Sequence, residues 1–126
     1  MATVFTSVGE AKAADLWDGT ASAPANYYIG WGTGAGAPAK GSTDVSTPAT
    51  EARVVGVESQ PLADKNQFVG TLTADGGKTI TNAGLFDAAG SGSPPSGGTC
   101  CIVGDHAGVA LLAGDKIEYT ITLEWT

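Results

Sequence analysis

The chain has 126 residues, a formal net charge of −7 and 15% charged residues, well below the roughly one quarter of average globular domains. One arginine, Arg53, and five lysines with no basic run exclude the electrostatic footprint of a nucleic-acid binder and of a polybasic membrane anchor. Gly supplies 19 residues, which suits short strands and tight turns and disfavours long helices, where each interior Gly costs about 1 kcal/mol relative to Ala.

The length fits one β-domain over residues 1–126. No stretch approaches the ~20 apolar residues of a membrane span. Met1 to Gly9 lacks the basic start and apolar run of a signal peptide, so use without Sec export is expected. Met1 to Val8 alternates weakly and reads as an edge strand or as an arm covering 1–9. Glu10 to Trp17 holds Ala11, Ala13, Ala14 and Leu16 between Gly9 and Gly19, and reads as the one short helix.

Asn26 to Gly32 reads as a strand with Tyr27, Ile29 and Trp31 on one face. Thr33 to Thr50 is rich in Gly, Ala, Pro, Ser and Thr. A loop of that length is uncommon in a compact domain, and is expected to be flexible or held by a neighbouring subunit. Arg53 to Glu58 reads as a strand ended by Pro61. Gln67 to Ala74 and Lys78 to Asp87 flank Asp75-Gly76-Gly77, a strong turn signal, and are expected to pair as a β-hairpin. Ala88 to Thr99 reads as a flexible or extended Gly/Pro loop. Cys100 to Gly104 and Gly108 to Leu112 read as two short apolar strands.

The last strand carries the clearest pattern. Ile117, Tyr119, Ile121, Leu123 and Trp125 alternate with Glu118, Thr120, Thr122 and Glu124 without exception. One face should meet the core and the other water or a polar partner. About seven short strands, one helix and long loops predict an all-β antiparallel sandwich or barrel of jelly-roll-like size.

The chemistry-bearing residues do not assemble into a motif. His106 is the one histidine, and its neighbour Asp105 should point to the opposite side of a strand. Cys100 and Cys101 are poorly placed to bridge each other and too few for a metal cage. They are expected to be reduced thiols, at least one packed as a small apolar residue. Gly30-Trp31-Gly32-Thr33-Gly34-Ala35 fits a loose dinucleotide pattern, but a Pro/Ser/Thr loop follows where a helix is required. Asp15, Asp18, Asp87, Asp105 and Asp115 fall in turns without the spacing of a calcium loop. No catalytic, cofactor-binding or metal residues are assigned. Tyr28, pointing away from the apolar face of its strand, is the best contact candidate.

Two stretches carry a resemblance. Tyr28-Ile29-Gly30-Trp31-Gly32-Thr33-Gly34 is followed by Glu51-Ala52-Arg53-Val54. Thr79-Ile80-Thr81-Asn82-Ala83-Gly84-Leu85-Phe86-Asp87 is followed by Leu112-Ala113-Gly114-Asp115-Lys116-Ile117-Glu118-Tyr119-Thr120-Ile121. This order, covering residues 27 to 125, resembles small virion proteins of tailed bacteriophages, both capsid decoration (cement) proteins and tail-fibre or baseplate-associated modules. Ser91 to Gly98 departs from it, where a tighter turn would be expected. The resemblance implies a structural protein rather than an enzyme, without a cofactor. It also implies a homotrimer whose arms, 1–9 and 33–50, reach into neighbours. The partner would be the major capsid protein, with no nucleic acid or membrane, and the place the outside of a capsid made in a bacterial cytoplasm. A hydrolase acting on surface glycans is the remaining class.

Overall fold

A computed structural model describes residues 2–125. Its elements are β1 (Thr3–Phe5), α1 (Ser7–Asp18), β2 (Tyr27–Gly32), β3 (Val54–Leu62), β4 (Lys65–Thr73), β5 (Lys78–Phe86), β6 (Cys100–Leu111) and β7 (Lys116–Glu124). The strands form one antiparallel sheet in the order β1-β6-β5-β2-β3-β4-β7, curled into a half-barrel. The all-β class with one short helix is therefore the fold.

The concave face holds the main core. Ile29, Trp31, Phe68, Leu72, Ile80 and Leu85 are its large members, and Ile29 and Ile80 are wholly buried. The β2, β5 and β6 region is buried on its convex face as well, under a smaller cluster of Val45, Phe86, Cys100 and Val103. Val45 belongs to the long loop after β2. That loop is not waiting for a neighbouring subunit, because its own sheet holds it. The wholly enclosed Asn82 accepts from Ser46 N at 2.8 Å and donates to Ser46 O at 3.1 Å. Gly32 allows this approach, since a Cβ there would lie 2.2 Å from Ser46 O.

The Gly/Pro loop after β5 is likewise tied down. Arg53 is buried with its guanidinium 3.6 Å above the Phe86 ring. Its Nη1 donates to Ala88 O at 3.0 Å and to Gly97 O at 2.8 Å. One cation thus satisfies two carbonyls that the loop cannot pair internally.

The expected hairpin between β4 and β5 does not form. Both edges of β4 are taken by β3 and β7, and both edges of β5 by β2 and β6. The segment Ala74 to Gly77 instead arches from one wall of the half-barrel to the other. Leu112 to Asp115 makes a second arch, from β6 to β7. The two lie side by side, with Ala74 N bonded to Asp115 O and Gly114 N to Ala74 O, each at 2.8 Å. They close one end of the half-barrel.

Glu51 fastens that end. Its carboxylate accepts from Trp31 Nε1 at 3.0 Å, from Asp75 N at 2.9 Å and from Lys78 Nζ. Lys78 also meets Asp75 at 2.7 Å. Burial alone would raise the Glu51 pKa, but these donors win and hold it below its ordinary value of 4.5. Lys78 moves the other way: burial opposes its charge, and the two carboxylates raise its pKa above 10.5.

Other boundaries differ from the expectation. Pro61 lies inside β3, where the ladder with β4 shifts between Ser59 and Leu62, so no ladder hydrogen bond is lost to it. The two apolar stretches from Cys100 and Gly108 are one twelve-residue strand. Of the two readings of the N-terminus, the edge strand is the one seen: Thr3 to Phe5 pairs with β6. Thr6, with no exposed surface, caps α1 by accepting from Gly9 N, and its hydroxyl donates to Cys100 O at 2.6 Å. Met1 lies outside the described residues.

Three outcomes are expected. Lys78→Met should lower unfolding stability by about 3 kcal/mol in urea titrations, since it leaves the Glu51 carboxylate enclosed without its cation. Because the folded pKa of Glu51 is depressed, its contribution is complete above pH ~4.5 and is lost as the pH falls further. Glu51→Gln should therefore flatten the acid limb of the melting temperature. Arg53→Met should cost about 2 kcal/mol and expose residues 88–99 to limited proteolysis, which mass spectrometry of the fragments would locate.

Candidate functional site

The register places the arches at one end of the half-barrel and leaves the other end open. There the start of β2 and β4, the finish of β5 and β7, and the first residues of β6 come together. Helix α1 lies across this opening. It forms because Thr6 supplies an N-cap and Gly19, at φ 81°, ends it in the left-handed region. It rests on β6 through Gly9, where a Cβ would stand 2.4 Å from Cys101 O.

Helix and sheet do not meet along their whole length. A trough of about 590 Å³ remains between them. Phe68, Leu85, Ile102 and Leu123 contribute to its lining from the strands, Leu16 and Trp17 from the helix, and Val55 and Val57 from β3. Two edge-to-face ring pairs stiffen it: Tyr27 on Phe68 at 5.3 Å and Phe5 on Trp125 at 6.4 Å. The second pair joins β1 to the end of β7, which lie at opposite edges of the sheet. Trp125 Nε1 donates to Asn66 Oδ1 at 2.9 Å, and Asn66 donates on to Glu58.

The trough is apolar and open to solvent. Trp17 is 89% exposed, Val57 66% and Trp125 47%. The rim carries Lys12 and Glu58, and Lys12 pairs with Asp87 at 3.3 Å. Such a surface suits a macromolecular partner or a ring-shaped ligand that stacks on indole.

The residues weighed from the sequence are spread through the fold. Tyr28 is half-buried, between Phe86 and Val55 in the sheet, and does not line the trough. Trp17 is the contact residue that sequence reading missed. Its signal was present, since Gly9, Lys12, Ala13 and Leu16 follow helical spacing and complete the inward stripe without it. Gly30, Gly32 and Gly34 serve close packing: a Cβ at Gly30 would meet Arg53 and Phe86, and one at Gly34 would meet Ser46.

His106 sits mid-strand on β6, with Nε2 2.8 Å from Tyr119 Oη and Nδ1 2.8 Å from Ala107 O. Asp105 N bonds to Ala2 O. Asp18 takes Thr20 N, Asp87 takes Thr99 N and Asp115 takes Leu112 N, whereas Asp15 and Asp105, expected in turns, lie inside α1 and β6. Among the described residues no group of three or more His, Cys, Asp or Glu converges. Comparison of the chain with protein-family models, curated proteins and solved structures gives no match.

Cys100 and Cys101 are free and buried thiols. Burial is the main cause that pushes them up to about 12 and about 11. A thiol whose folded pKa is raised favours the fold below its unfolded value and loses that advantage as the pH climbs. Stability should therefore fall between pH 9 and pH 12, read by urea midpoints. At pH 8 an aromatic disulfide reagent should react with neither thiol in the folded chain and with both in urea.

Proposed function

We propose that the protein is a structural module of a phage particle: a capsid decoration protein that binds the outside of the shell and stabilises it by repeated contacts. The observation that carries this reading is the open apolar trough with Trp17 almost wholly exposed at its lip. A side chain of that size left in water on an otherwise tied-down domain is a docking anchor. The ordered motifs that resemble virion proteins supply the kind of partner, the major capsid protein. Homotrimeric assembly at three-fold sites of the shell belongs to the same proposal.

The physics suits the task. Loops and termini are pinned by Arg53, Asn82 and Thr6, so the free chain has little entropy to lose on binding. A small apolar anchor gives modest affinity at one site. Repetition over a shell turns that into tight attachment, provided the geometry lets many copies engage together.

A second reading rests on the same trough. Two exposed indoles, Trp17 and Trp125, also suit stacking on a receptor saccharide, as a tail-fibre or baseplate module would require.

Quantitative gels of purified virions test the first reading, with hundreds of copies per particle expected and a handful ruling it out. Trp17→Ser should leave the melting temperature within about 2 °C, as for a surface substitution that changes stability by less than 0.5 kcal/mol. It should weaken binding to isolated shells about tenfold or more. Immunogold confined to tails would transfer the protein to the second reading.

A further inference from the structure

We propose that β7 is a self-pairing edge: in solution it adds, antiparallel and centred on Thr120, to β7 of a second copy. The contact is a property of the chain alone and does not rest on the particle reading.

The two ends of the sheet differ. At one end β1 is only three residues long. At the other, β7 runs for nine residues and pairs only with β4, in one unbroken register from Lys116 to Glu124. Its outer edge has neither a bulge nor a proline, two of the devices that blunt such an edge, and its charges are confined to Lys116, Glu118 and Glu124. The apolar residues Ile117, Tyr119, Ile121 and Leu123 pack on the core yet stay only half-buried, because no strand lies beyond them. A further strand would cover them and take up the outward backbone groups.

Charge selects the occupant and the register. A partner must set apolar face beside apolar face, which removes every register that opposes odd to even positions. Centring on Thr120 uses all nine residues and places Lys116 opposite Glu124 twice, by symmetry. Glu118 then faces Thr122, and Thr120 faces itself. On the other face Ile117 meets Leu123, and Tyr119 meets Ile121. Moving the centre to Ile121 sets Glu118 against Glu124, a like-charge pair. Moving it to Tyr119 sets Lys116 against Thr122 and leaves Glu124 beyond the strand pair.

The ionic partners are in place for it. Among the described residues no carboxylate lies within ion-pair distance of Lys116, while Glu124 reaches only Lys65, at 3.9 Å. In the dimer Glu124 would stand between Lys65 of its own chain and Lys116 of the second copy. A ladder of nine residues spans about 30 Å and is narrow. The association is therefore weak, reversible and sensitive to salt. Being isologous, it is a two-fold contact, which a three-fold ring does not contain, so the two assemblies use different surfaces.

Sedimentation equilibrium of the purified chain, from about 10 μM to 1 mM at low salt, tests this. A monomer–dimer step is expected. Lys116→Glu should weaken it about tenfold or more by setting Glu against Glu, and adding Glu124→Lys should restore it to within about threefold. Copper-catalysed air oxidation gives a second measure, because the native thiols are buried. Thr120→Cys should yield a covalent dimer well before Thr71→Cys, which lies one strand inward on β4. A mass independent of concentration, association indifferent to Lys116→Glu, or equal cross-linking of the two cysteine variants would overturn the proposal.

Discussion

Two arches bonded to each other hold the half-barrel in its curl. Ala74 exchanges hydrogen bonds with Gly114 and Asp115, so the crossing from β4 to β5 and the crossing from β6 to β7 share one end. Glu51 then binds that end to the core through Trp31 and to the first arch through Lys78 and Asp75. Apart from this knot, the three-stranded wall of β3, β4 and β7 is joined to the other wall by the β2–β3 ladder, three residue pairs long, and by side-chain contacts such as Phe5 on Trp125 and His106 with Tyr119. The facing of the two walls is what gives the concave core its depth. It also fixes the opposite end as the open one, and so determines where a trough can exist.

The open end and the free edge share an origin. A closed barrel would have buried β7 between two neighbours and left no unpaired strand. Here α1 fills part of the opening, with Gly9 against β6 and Trp17 on the solvent side. The convex face is covered by loops held by polar side chains from the sheet or its margin: Asn82 and Thr81 for one, Arg53 and Asp87 for the other. Surface available for recognition is thus concentrated at the trough and along the last strand.

The sequence made some of this legible and hid the rest for definite reasons. Alternation from Ile117 to Trp125 reports which face of β7 meets the core, and that is correct. It carries no information on how many neighbours a strand has, so the half-burial of an edge was not visible. Asp75-Gly76-Gly77 marks a turn correctly, but arches and hairpins use the same turn chemistry, and only distant pairings distinguish them. Gly- and Ser-rich stretches look flexible because small residues favour loops. The same small residues let a backbone lie against a sheet, as at Gly32 and Ser46, and that depends on Asn82, 36 residues away. The apolar trough draws its lining from all seven strands and the helix, and no local pattern announces it.

The hairpin of β3 and β4 has a further consequence. Its tip, from Glu58 to Asp64, is exposed throughout and joined by the two-residue turn Ala63-Asp64. Length added there would enter solvent, whereas length added in either long loop would strip cover from the convex face. The tip also stands beside the trough, through Glu58 and Asn66. A peptide grafted at Ala63 would be displayed at the rim of the open end, within reach of whatever the trough binds. The fold thereby supplies a reporter position next to its own candidate contact surface.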